Sequence, residues 1–140
     1  MNAMAAESLL IARLKLKLAG TVTVCSFASI FGAASLGIHL PLVAVALVKS
    51  AEGDNPLPHT TQISDETWQV SVFSAQQTDL AAFAQDFQSA GALIGDVIGA
   101  LSGFKLGVGF QPLRYLGIQA VSGSPGEIEF QTHFGVKRTS

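Results

Sequence analysis

Residues 22–48 contain no Asp, Glu, Lys or Arg, and a stretch of that length has to be kept from water. It either crosses a membrane, for which about twenty apolar residues suffice, or folds into the interior of a domain. Lys15 and Lys17, just upstream, suit a spanning segment or a signal sequence. Against that, Gly32, Gly37, His39 and Pro41 interrupt the run, and its second part, Leu42-Val-Ala-Val-Ala-Leu-Val48, is short and rich in β-branched residues. Such a run suits a strand buried on both faces. The two lysines also belong to an amphipathic stretch that begins about a dozen residues earlier, late for the basic region of a signal. The buried strand is the preferred reading. A membrane-anchored or exported chain spanning 22–48 is its alternative.

The pattern on either side of this run is that of a mixed domain. Leu10, Ile11, Leu14 and Leu18 recur at helical spacing, which predicts an N-terminal helix over residues 4–18. Its last five residues, Leu14-Lys-Leu-Lys-Leu18, also alternate like a strand, so an earlier stop is open. Thr21-Val-Thr-Val-Cys25 favours a strand, and Pro41 starts the next one, where a missing amide is tolerated. Residues 49–64 hold Gly53, Asp54, Asn55, Pro56, Pro58 and His59 and read as a long exposed loop, a wide hairpin. In residues 66–74, Trp68, Val70 and Val72 alternate with Gln69 and Ser71, the pattern of a half-buried antiparallel strand.

Phe83, Phe87, Ala90, Ile94, Val97 and Leu101 are spaced four, three, four, three and four apart and give a second helix one apolar face. Thr78 or Asp79 suits its N-cap and Gly103 its left-handed end. Gly91, Gly95 and Gly99 lie beside that face, each costing about 1 kcal/mol relative to alanine. Close approach of another backbone explains such a row; a helix frayed after Gly91 is the alternative. Residues 113–121 and 127–137 are strand candidates joined by Ser122-Gly-Ser-Pro-Gly126, a C-terminal hairpin. Ile128, Phe130, Thr132, Phe134 and Val136 share one face of the second. The whole is expected to be a single compact α+β domain over residues 1–140, with two main helices packed on an antiparallel or mixed sheet.

Charge now becomes informative. Hydrophobic residues make up 49% of the chain and charged residues only 13%, about half the usual share of roughly 25%. A monomer so poor in charge struggles to cover its exterior, so apolar surface is expected to meet other protein. The net charge of −2 and the scattered basic residues argue against a nucleic-acid or anionic-membrane surface.

Chemistry is hard to find. His39, His59 and His133 are far apart in sequence and have no second ligand at metal-binding spacing. Cys25, the single cysteine, cannot form an internal disulfide, and its uncharged neighbourhood suits a buried thiol better than a nucleophile. Residues 103–109 are rich in glycine but close a helix and open a strand, the reverse of a phosphate cradle. Glu127 and Glu129, two apart on one strand, read as a solvated sheet face. No catalytic residue, metal or cofactor is expected.

The order of these features resembles one family, the tail terminator (tail completion) proteins of long-tailed bacteriophages, in the version carried by Mu-like phages and prophages. The matching parts are the opening helix over 7–18, Val22-Thr-Val-Cys-Ser-Phe27 and Pro41-Leu-Val-Ala-Val-Ala-Leu-Val48. They continue with Glu66-Thr-Trp-Gln-Val-Ser-Val72, the helix end Val97-Ile-Gly-Ala-Leu-Ser-Gly103 and the hairpin end Ile128-Glu-Phe-Gln-Thr-His-Phe134. The resemblance implies a non-enzymatic virion protein, assembled in the bacterial cytoplasm, that forms a ring, usually of six copies, at the head-proximal end of the tail. Such a ring binds the tail tube protein, stops its polymerisation and offers a surface to the head–tail connector or stopper. DNA passes through the lumen without specific binding, and no membrane is involved. In this setting Glu52, Asp54, His59 and Asp65 are candidates for polar contacts with a neighbour, and Gly91, Gly95 and Gly99 for a backbone contact. Another head–tail or tube morphogenesis subunit of similar architecture is the alternative within the same class.

Overall fold

The computed structural model describes residues 3–28, 41–52, 63–75, 80–122 and 127–139. Among these residues two long helices, α1 (Ala3–Lys17) and α2 (Leu80–Leu101), lie with five strands. These are β1 (Thr23–Ser26), β2 (Leu42–Glu52), β3 (Ile63–Ala75), β4 (Arg114–Ser122) and β5 (Glu127–Thr139). The sheet is ordered β1-β2-β3-β5-β4, with β1 and β2 parallel and every other pair antiparallel. This is the mixed-sheet α+β arrangement that the patterning predicts.

Both helices cover the same side of the sheet, α1 over β1 and β2, α2 over β3 and β5. Ala6, Leu10, Leu14 and Leu18 are buried at four-residue spacing, so α1 continues through the lysine-alternating segment. There the turn from Leu14 to Leu18, with the Leu18 amide donating to the Leu14 carbonyl at 2.8 Å, carries more than strand-like alternation does. Facing α1 and α2 are Val24, Val43, Val45, Trp68, Val70, Val72, Phe134 and Val136. Each fully buried aliphatic side chain of this kind contributes roughly 1.5–3 kcal/mol of transfer free energy. The polar groups among them are satisfied: Thr132 Oγ1 donates to the Val70 carbonyl at 2.8 Å, and Trp68 Nε1 donates to Glu66 Oε2 at 3.3 Å. Arg13 ties the two helices together. Its Nε donates to the Ala100 carbonyl at 3.0 Å, and its guanidinium carbon lies 4.9 Å from the centroid of the Phe104 ring. A cation there also meets the negative end of the α2 dipole.

β2 is buried on both faces, as its charge-free sequence requires, with Val43 and Val45 toward the helices and Leu42 and Ala44 on the other side. A helix crossing a membrane over 22–48 is thereby set aside: Thr23–Ser26 and the start of β2 are strands of this sheet. Among the described residues no helix is long and apolar enough to cross a membrane.

The loop expected over 49–64 is shorter than its polar composition suggests. β2 runs on to Glu52 and β3 begins at Ile63, with Lys49 opposite Thr67 and Glu52 opposite Ser64. A ladder joins backbone amides whatever side chains they carry, so polar residues do not end the arms of the hairpin. The register shift between Leu47 and Lys49 gives β2 one extra residue, Val48, which is 54% exposed. Gly53, Asp54, Asn55, Pro56, Pro58 and His59 lie outside the described residues, as do the Thr78 and Asp79 caps and the turn at 123–126.

α2 runs unbroken through Gly91, Gly95 and Gly99 to Leu101, so fraying after Gly91 is overturned. Ala90, Leu93, Val97, Ala100 and Leu101 are buried and Ile94 is half-buried. The side chains of Phe83 and Phe87 lie outside those described. Gly103 ends the helix at φ +78°, its amide donating to the Leu113 carbonyl at 2.9 Å. The glycine-rich connection then folds over the end of the core by burying Leu106, Phe110 and Leu113, and Gln111 is held by the Lys137 carbonyl at 2.8 Å.

Candidate assembly surfaces

Three surfaces of the domain differ in chemistry. The first is the outward side of the helical layer. α1 exposes Leu9 and Leu16 (74% exposed) on the side opposite its buried stripe, and Met4 (79% exposed) near its start. On α2 the outward side carries Gly91, Ala92, Gly95, Asp96 and Gly99, all exposed. A Cβ built on any of the three glycines meets nothing within 4 Å. The close backbone approach expected at this row therefore does not come from the described residues. The row faces outward because the buried side of α2 is set by Ala90, Leu93, Val97 and Leu101.

The second surface is the side of the sheet opposite α1 and α2, buried over β2 at Leu42 and Ala44, where the Phe27 ring lies 6.4 Å from that of Phe73, and more open over β4 and β5. Across its rows stand Gln69, Ser71, Gln119, Glu129, Gln131 and His133. Gln69 Nε2 donates to Ser71 Oγ at 3.0 Å and Gln131 Nε2 to Glu129 Oε2 at 2.8 Å, so the side chains are laced along the strands. Asp65 is exposed at the upper end of this side, between Ala51 and Lys137 on the flanking strands. Glu52 occupies the next rung of β2, opposite Ser64, its side chain outside those described; Asp54 and His59 lie outside the described residues altogether. Of the four polar candidates the structure thus brings Glu52 and Asp65 to adjoining strands.

The third surface is the β4 edge. Tyr115, Leu116 (51% exposed) and Ile118 (46% exposed) all reach solvent. The Tyr115 ring lies 5.8 Å from that of Phe134 on the helix side. Leu116 sits at a register shift and leans over Gly135 on the other side, its Cδ1 3.2 Å from where a Cβ of Gly135 would be. The edge was not among the candidates from sequence. Its signal was available in Tyr115-Leu-Gly-Ile118, which puts large apolar side chains on both faces of one strand with no polar face to leave in water.

Cys25 is half-buried on β1, and desolvation pushes its thiol up from the ordinary value, partly offset by the positive charge of Lys15. Among the described residues no group of three or more His, Cys, Asp or Glu side chains could hold a metal ion.

Among the described residues the domain leaves two sheet edges unpaired and exposes apolar side chains on a helix and an edge strand, the surface of a subunit completed by other protein chains. Comparison with known proteins gives the family. The model of the family described as phage tail terminator protein matches residues 1–139, and the chain belongs to that family. Among solved structures, a chain of the virion of a native gene transfer agent particle is similar over 96% of this chain and 87% of that one, with a TM-score of 0.54 and 21% identity. At that identity the likeness shows a shared fold. No curated protein matches this chain. The protein is accordingly a structural component of a phage-type tail, with its place in the virion.

Proposed function

We propose that the protein forms a ring, of about six copies, that caps the head-proximal end of a tail tube, halts tube growth and presents a surface to the head–tail connector. The family match over residues 1–139 carries this reading, and the apolar side chains left uncovered on α1 and on the β4 edge supply such a subunit with contacts. A tube that grows by stacking rings has a sticky end, and a cap has to match that end without reproducing it on its other face.

In this reading the side of the sheet opposite α1 and α2 faces the channel, where Gln69, Gln119, Gln131 and His133 of β3, β4 and β5 offer DNA no concentrated charge of either sign. The glycine row of α2 lies on the outer wall of the ring, open to the backbone of a neighbouring protein chain, and Glu52, Asp54, His59 and Asp65 make polar contacts at the rim. The chemistry throughout is recognition, without catalysis or cofactor. Mass measurement joined to negative-stain imaging of the purified chain, alone and with tube protein, tests the proposal. Annular particles of about six copies are expected. A chain that stays monomeric in both preparations contradicts it.

A further inference from the structure

Both outer strands of the sheet lack a neighbour among the described residues. β1 at one end is four residues long, and β4 at the other is nine. Long apolar edges template pairing with other chains, and proteins ordinarily shorten, charge or cover them. β4 is neither short nor covered, since Tyr115 and Ile118 on its helix side and Leu116 on the other remain exposed.

The sheet's own register shows what fits there. Through one parallel and three antiparallel pairings, β4 runs opposite to β1. Cys25, Ala44, Ser71, Gln131 and Gln119 form one continuous row across all five strands, and Val24, Val43, Val72, Phe130 and Ala120 form the next. A second copy turned about an axis along the strands therefore brings its β1 beside β4 in antiparallel sense and at the same height. Its Thr23–Ser26 lies along residues 118–121. Because α1 overhangs β1, the incoming copy also carries a helix to the side on which Tyr115, Ile118 and Ala120 are uncovered.

We propose that β4 of each copy pairs in antiparallel with β1 of a second copy, so that the sheets join head to tail into one closed belt. The proposal rests on the ring reading above and names its lateral contact. Two unlike edges make a heterologous contact, which closes when the rotation per copy allows it. With strands about 4.8 Å apart, six five-stranded sheets make a belt roughly 140 Å around and roughly 45 Å across, measured between backbones. That leaves room for a central channel on the side of the sheet opposite α1 and α2.

The lone native thiol provides the test. Facing residues of an antiparallel pair have Cα atoms about 4.5–5.5 Å apart, within disulfide reach, and Gln119 is an exposed edge residue in the row of Cys25. The full-length Gln119→Cys variant, in solution and on assembled tails, is treated with a mild oxidant or a short bismaleimide at alkaline pH. The expected result is a ladder of covalent multimers reaching the size of the ring, lost when Cys25→Ser is added. Lys137→Cys, on the same side of the sheet but on inner strand β5, gives no Cys25-dependent ladder. If imaging shows rings but the ladder is missing, or only pairs form and persist with Cys25→Ser, the edge contact is overturned and the ring reading stands. If no annular particle of the unaltered chain forms in either setting, the ring reading fails and the contact falls with it.

Discussion

Replacing Gly91, Gly95 and Gly99 together by alanine separates what these residues do for the fold from what they do for assembly. Each sits inside α2 with no positive φ and with open space where its Cβ would be. Glycine costs a helix interior about 1 kcal/mol relative to alanine, and three sites without shared partners add to about 2–3 kcal/mol. For a chain of this length about 1 kcal/mol corresponds to roughly 2–4 °C in Tm, so the triple variant is expected to melt roughly 5–10 °C higher. The same three methyl groups stand on the outward side of α2, where they hold off a partner that approaches on glycine; overpacking of that kind costs about 1–3 kcal/mol. Thermal denaturation of the purified chain, paired with complementation of a strain lacking it, reads both effects. A more stable protein that no longer terminates tails is the expected outcome. A stabilised variant that terminates normally refutes the assembly role of the row, and a destabilised one refutes its outward placement.

Other perturbations act on named contacts. Arg13→Ala removes the hydrogen bond to Ala100 and the cation over Phe104, and is expected to cost about 1–3 kcal/mol in urea denaturation. Thr132→Val keeps the shape of a fully buried side chain but loses its bond to the Val70 carbonyl; a loss of about 1 kcal/mol is expected, and a neutral result counts against that bond. Alkylation of Cys25 is expected to be slow at neutral pH and to speed up only above the ordinary thiol range, since burial raises its pKa. Lys15→Gln removes the opposing charge, so the reaction midpoint moves further up; a downward move contradicts the placement of Lys15 beside β1.

Much of the fold was legible because period and burial agree. Leu10, Leu14 and Leu18 at helical spacing, and Trp68, Val70 and Val72 at strand spacing, are the residues that form the core. The charge-free run resolved into strands once Pro41 and the β-branched residues after it were weighed against its length. Where composition stood in for geometry, the reading slipped. The polar composition of residues 49–52 suggests a loop, whereas ladder pairing depends on the backbone, and the glycine row suggests a close backbone neighbour without telling that its side of α2 faces away from the described core. The β4 edge is not legible in the sequence as an edge, because that is a property of strand order, which periodicity along the chain does not carry. Gln119 and Cys25 stand on one row only through three intervening strands.

The central claim, that this chain stops a growing tail tube, is tested most directly by the distribution of tail lengths in electron micrographs of particles made without it. The account predicts overlong tails of variable length that fail to join heads, restored to uniform length when the chain is supplied. Tails of normal, uniform length in its absence, headless or not, contradict it.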